Sequence, residues 1–239
     1  MKGIDPAVAA DVLALLWFLG CWVGYSRYAK HRSATEVCLA SVMHMYRREW
    51  MMQMMHRENR MADMSAISTL ERNVSFFASS ALVILAGVLT LLGYLDQAIV
   101  LFDDLPLAGE QTRLQWEAKV ALLVVIFVYA FFKFTWSLRQ VGFAAVLIGA
   151  APNPGTADVA EEEIRQAAER VARVVSMAAH HFNFGLRSYY FALAVLAWMV
   201  SSWLFVAAAA LVVFVLYRRE FHSSALSTLM SSSPAMRRS

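Results

Sequence analysis

Apolar positions along the chain fall into four blocks separated by segments of mixed polarity. Residues 7–26 read AVAADVLALLWFLGCWVGYS, and 74–95 read VSFFASSALVILAGVLTLLGYL. A third block, 118–138, is AKVALLVVIFVYAFFKFTWSL, and the fourth, 189–217, is YYFALAVLAWMVSSWLFVAAAALVVFVLY. About 20 apolar residues at 1.5 Å each cross the hydrocarbon of a bilayer, so each block is long enough for a membrane helix. The fourth is too long for one upright helix. Its residues would reach roughly 43 Å against a core of about 30 Å. It must tilt, project, or break at Ser201-Ser202.

Between the blocks the pattern remains helical. Residues 34–72 hold neither glycine nor proline and are filled with strong helix formers, which predicts a helix over that range. After the PNPG turn at 152–155, Asp158 precedes Glu161 by three residues in a capping-box-like start. Ile164, Ala168, Val171, Val175, Ala178 and Phe182 then recur at three-to-four spacing, predicting a helix over about 158–184 with an apolar stripe. The expected fold is all-α: an integral membrane bundle of about four spans with long cytoplasmic helical extensions, forming a single membrane domain over 1–239.

Composition agrees. Hydrophobic residues make up 59% and charged residues 16% of the 239, with a mean hydropathy of +0.51. A soluble domain has about 45–50% apolar and about 25% charged residues. The net charge of +3 is too mild to argue for nucleic acid. Cys21 and Cys38 form no CxxC pair, so neither a disulfide framework nor a zinc site is suggested.

Flanking charge predicts orientation. The segment after the first block carries Arg27, Lys30, Arg32, Arg47, Arg48, Arg57, Arg60 and Arg72. The segment after the third carries Arg139, Arg165, Arg170, Arg173 and Arg187, whereas 96–117 is dominated by Asp96, Asp103, Asp104, Glu110 and Glu117. These place the N-terminus outside and the two long segments in the cytoplasm. The first block has early acids and no cleavage-site pattern, so an uncleaved anchor is expected. Four spans would put the tail outside, although YRREF is basic; a re-entrant hairpin over 189–217 would return it to the cytoplasm.

Several stretches together resemble a bacterial and plant membrane family known as domain of unknown function 599. They are RREWMMQMMHRENRMAD leading into SFFASSALVILAG, then KFTWSLRQVGFAAVLIGAAP, FNFGLRSYYFALAVLAWMV and VLYRREFHSSAL. The resemblance runs from about residue 12 to 229, and the methionine density of its first stretch exceeds the family pattern. It implies a multi-span inner-membrane protein and supplies no activity, substrate or catalytic residue.

Candidate chemistry is sparse. Eight of the 13 methionines lie within 43–64. Thioethers suit Cu(I), and Met51, Met54 and Met55 are neighbours on a helix, with His56 one helical turn beyond Met52. Methionines spread over several helical faces suit adaptable packing better, so no metal and no cofactor is expected. Asp11 and Lys133 are the only ionisable candidates well inside a block, each near enough to an end to snorkel, which argues against a proton relay. Lys133, Arg139 and Arg187 could ring a polar vestibule or anchor the interface with Trp136, Tyr189 and Tyr190. Gly20 and Gly24 form a GxxxG pattern expected at a helix contact. The functional expectation is a non-enzymatic, homo-oligomeric protein with lipids as partners. The alternatives are a channel or permease at a subunit interface and a copper-binding membrane protein.

Overall fold

The computed structural model describes residues 6–103, 111–153 and 160–231. Eight helices and no strand occur among them: α1 Pro6–Thr35, α2 Leu39–Met55, α3 Met61–Gly93, α4 Leu95–Asp103, α5 Arg113–Gly149, α6 Glu161–Val200, α7 Ser202–Phe221 and α8 Ser224–Ser231. Three of them, over Val8–Ala29, Met61–Gly93 and Arg113–Gly149, are long and apolar enough to cross a membrane. Asp104, Glu110, Asp158 and the terminal arginines lie outside the described residues.

The chain divides into two compact units. The first comprises residues 1–36, 81–130 and 186–223; the second comprises 37–80, 131–185 and 224–239. Thus α3, α5 and α6 each contribute one part to each unit.

In the first unit α1 packs along α7. Its buried face is Asp11, Ala14, Phe18, Tyr25 and Ala29, an inward stripe at heptad-like spacing. Phe18 is fully buried, edge-on to Phe191 at 5.6 Å and 5.0 Å from Phe205. Trp22 stacks on Phe191 and meets Tyr129 edge-on, so aromatic pairs tie α1, α5, α6 and α7 together.

The fourth apolar block is not one helix. It breaks at Ser201, whose backbone is extended (φ −159°, ψ 141°), and the chain reverses. Trp198 stacks on Phe205 at 4.6 Å and 9°, and Arg219 donates to the Tyr190 hydroxyl at 2.7 Å. In one straight helix Tyr190 and Arg219 would stand roughly 43 Å apart. The expectation of a simple fourth span is therefore corrected to an antiparallel helical hairpin. Ser201 takes the N-cap position of α7 without a side-chain cap, and the Ser202 hydroxyl is held by Asp11.

The single helix expected over 34–72 is also corrected, because it is interrupted twice. Around residues 36–38 the chain turns, and the Ser41 hydroxyl accepts the Cys38 N–H at 2.9 Å to start α2. At 56–60 the His56 and Arg57 N–H groups close tight bonds to Gln53 and Met54, and the Asn59 side chain caps the Met61 N–H at 2.9 Å. Asn at such a position competes with the helix for its own backbone.

In the second unit Met51, Met54 and Met55 of α2 are buried with Ile67, Val141, Ile148, Val171 and Val175, among Ala144, Ala168 and Ala172. The stripe expected on α6 accordingly faces this core. Long, flexible methionines fill the hollows that alanines leave between helices. One position allows no side chain: a Cβ on Gly185 would lie 2.5 Å from the ring of Phe134, which is itself fully buried and stacked on Phe77. A glycine here lets α6 approach α5 through that ring.

Candidate functional site

The first unit encloses a cluster of polar side chains. Asp11 stands on the inward stripe of α1, so burial rather than snorkelling is its fate, contrary to expectation. Its Oδ1 accepts the Trp198 indole N–H at 2.7 Å and the Ser202 hydroxyl. Its Oδ2 accepts the Gln115 amide at 2.9 Å and lies 4.0 Å from the Lys119 ammonium.

Lys119 is 1% exposed. Its Nζ donates to Gln111 Oε1 at 2.6 Å and to the Trp198 carbonyl at 3.0 Å, and it stands 5.2 Å from the Trp198 ring. Carbonyls left at the C-terminal end of a helix favour a cation, and Trp198 lies in the last turn of α6. Gln111 also donates to the Met199 carbonyl at 3.3 Å, and Gln115 Oε1 accepts the Thr112 N–H at 2.7 Å. Every charge is matched and the amides hold the pair in place. The arrangement joins α1, the start of α5 and the hairpin tip by groups far apart in sequence. Chemically it is a closed ion pair without an open coordination or nucleophile position.

A second, half-buried pair sits further along the same helices. Arg187 lies 3.7 Å from Glu220 and 5.4 Å from the Tyr25 ring, with side-chain exposures of 14% and 17% for the two charges. Arg187, expected in a vestibule, thus has partners of its own. Lys133 and Arg139 belong to the second unit, over Phe184 at 5.5 Å and Phe143 at 6.0 Å respectively. Burial and the nearby Lys133 charge hold the His181 imidazole below its usual 6.5.

The second unit has its own anchor at the α2–α3 turn. Asp63 is 2% exposed and its Oδ1 accepts both Trp50 Nε1 and Arg57 Nη1 at 2.6 Å. Arg60 donates to the carbonyls of Ile148, Ala151 and Pro152, closing the C-terminus of α5. The methionine candidates separate from their histidine: Met51, Met54 and Met55 lie in the core, whereas His56 is exposed with Nε2 3.9 Å from Glu161. Among the described residues no group of three or more His, Cys, Asp or Glu is placed to hold a metal. Cys21 and Cys38 are free thiols.

Lys119, Gln111, Trp198 and Gly185 were not singled out from the sequence. The signal for Asp11 was present, since it is in register with Ala14 and Phe18. Lys119 likewise adjoins the buried α5 series Trp116, Val120 and Leu123.

An all-α chain with three membrane-length apolar helices and charges buried between them is of the helical membrane-protein class. The chain belongs to the family described as Protein of unknown function, DUF599, whose model matches residues 13–225. No curated protein and no solved structure matches it.

Proposed function

We propose that the protein is a non-enzymatic, oligomeric inner-membrane protein whose work is to organise lipids or partner proteins. The observation that carries this is the outward face of α1. Val12, Leu13, Leu16, Trp17 and Val23 are exposed, and a Cβ on Gly20 or Gly24 would meet nothing within 4 Å. Among the described residues the two glycines therefore meet no side chain, although the Trp17 indole at the edge of the face donates to the Val206 carbonyl at 3.3 Å. A contiguous apolar face of this kind is covered by lipid or by another helix. Glycines four apart suit a close helix–helix approach.

In this reading 34–72, the segment before and through the start of α6, and the tail are cytoplasmic, following their arginines. The hairpin supports a cytoplasmic tail, because Arg219 returns to the level of Tyr190. Detergent-extracted protein is expected to run as a dimer or larger assembly by mass photometry, and Gly20→Leu with Gly24→Leu to shift it towards monomer. A protein monomeric at all concentrations would refute the oligomer.

A second reading, a small channel or permease with its path at a subunit interface, draws on the half-buried Arg187–Glu220 pair, which keeps 14% and 17% exposure. Ionisable groups inside spans mark ion pathways. It predicts liposome flux altered by Arg187→Gln; flux equal to empty vesicles across several ions would rule it out.

A further inference from the structure

The second unit contains a cavity of about 460 Å³ between α2, α3, α5 and α6. This volume falls within the range of small-ligand sites, about 300–1,000 Å³. Its walls are apolar, formed by Leu70, Val74 and Phe77 of α3, Val141 of α5, and Val175 and Phe182 of α6. Arg47, Asn73 and Asn183 also line it. None of these three side chains has a hydrogen-bond or ion-pair partner among the described residues. The cavity's remaining hydroxyl, on Ser137, is already committed to the Ala178 carbonyl at 2.7 Å. Among the described residues no carboxylate lines the space.

The contrast with neighbouring arginines is direct. Arg48 pairs with Glu169, Arg57 with Asp63, and Arg60 with three carbonyls. Arg47 alone of this group is partly buried with no partner among the described residues, and burial lowers its pKa. A guanidinium held at an apolar wall without a counter-charge has donors to spare, and an anion accepting them gains charge-assisted hydrogen bonds.

The depth of the cavity defines the rest of the ligand. Its α3 lining, residues 70–77, straddles position 74, where the second apolar block begins. Its α5 lining, 137–141, straddles position 138, where the third block ends. α3 therefore crosses from polar to apolar at the cavity, and α5 carries Arg139 and Gln140 beside it, which marks the level at which lipid headgroups sit.

We propose that this cavity binds an anionic amphiphile, with an apolar chain between α3, α5 and α6 and a phosphate or carboxylate head on Arg47. Asn73 and Asn183 supply further donors to the head. The depth argument rests on the membrane reading but not on the oligomeric state, so a monomeric protein leaves the site standing.

The test uses the full chain in phosphatidylcholine nanodiscs doped with phosphatidylglycerol, followed by detergent exchange and native mass spectrometry. One phosphatidylglycerol is expected to remain per chain and phosphatidylcholine to be lost. Arg47→Gln lowers retention at least tenfold, and Ala179→Phe, which fills the cavity, abolishes it. Arg47→Lys keeps retention within a few-fold, and Arg48→Gln on the same helix leaves it unchanged, so a general loss of fold is separated from loss of the site. Glycerol phosphate, a head without a chain, does not displace the lipid. Displacement by oleate assigns the site to free fatty acids as well, and its failure assigns it to phosphate heads. Equal retention of phosphatidylcholine, or wild-type retention in both Arg47→Gln and Ala179→Phe, overturns the proposal.

Discussion

Replacing Asp11 by alanine leaves the Lys119 ammonium, 1% exposed, with only the Gln111 and Trp198 oxygens for company. It also frees the indole of Trp198, the hydroxyl of Ser202 and the amide of Gln115. Removing one partner of a buried pair costs about 3–5 kcal/mol because the other charge stays behind. The Asp11 side chain retains 12% exposure, which argues for the lower part of that range. For a chain of this size such a loss lowers Tm by about 6–20 °C. Tryptophan-fluorescence melting of detergent-purified protein reads it, with Trp116 and Trp198 near the site as reporters. The double variant Asp11→Leu with Lys119→Met removes both charges and should recover about 1–3 kcal/mol as a coupling term. An Asp11→Ala protein melting within about 2 °C of wild type would mean that the carboxylate reaches solvent after all, and the closed pair would be wrong.

Gly185→Ala drives a methyl into the Phe134 ring and should cost about 1–3 kcal/mol in the same melting assay. Met54→Ala should cost about 2–5 kcal/mol while Met54→Leu costs less than about 1.5, as expected of filler rather than ligand. Elemental analysis of protein from copper-supplemented cells should find no stoichiometric copper; one copper per chain lost in Met54→Leu would contradict the packing role. For His181, the folded pKa lies below the 6.5 of the unfolded chain, so the unfolded state binds more protons as pH falls through that window. Stability is therefore lost on acidification below 6.5, and His181→Gln should flatten the melting temperature there.

The helices were legible because apolar blocks of membrane length and stretches free of glycine and proline leave few alternatives. Their ends were less so. The break at 56–60 rests on one Asn59 cap and on Arg57 and Arg60 reaching Asp63 and the end of α5. Those contacts are decided by tertiary placement, and helix propensity gives way to them. The hairpin at Ser201 was among the foreseen possibilities, since the fourth block exceeds one bilayer; which of tilt, projection or break occurs depends on Trp198 meeting Phe205 and Ser202 meeting Asp11. Proximity to a block's end suggests snorkelling for Asp11, whereas its register with Ala14 and Phe18 turns it inward. Its partners Lys119 and Trp198 are more than a hundred residues away, beyond any local pattern. The methionine cluster was read as packing, and its three central members do lie in the core.

Side-specific labelling tests the proposed membrane topology most directly. Single cysteines are placed at Glu49, Thr112 and Ser227 in a chain whose Cys21 and Cys38 are serine, and a membrane-impermeant maleimide is applied to intact cells and to inverted vesicles. The hairpin predicts that Thr112 labels from outside, and that Glu49 and Ser227 label together from the cytoplasmic face. Ser227 labelling from the same side as Thr112 would contradict the hairpin and restore a single fourth span.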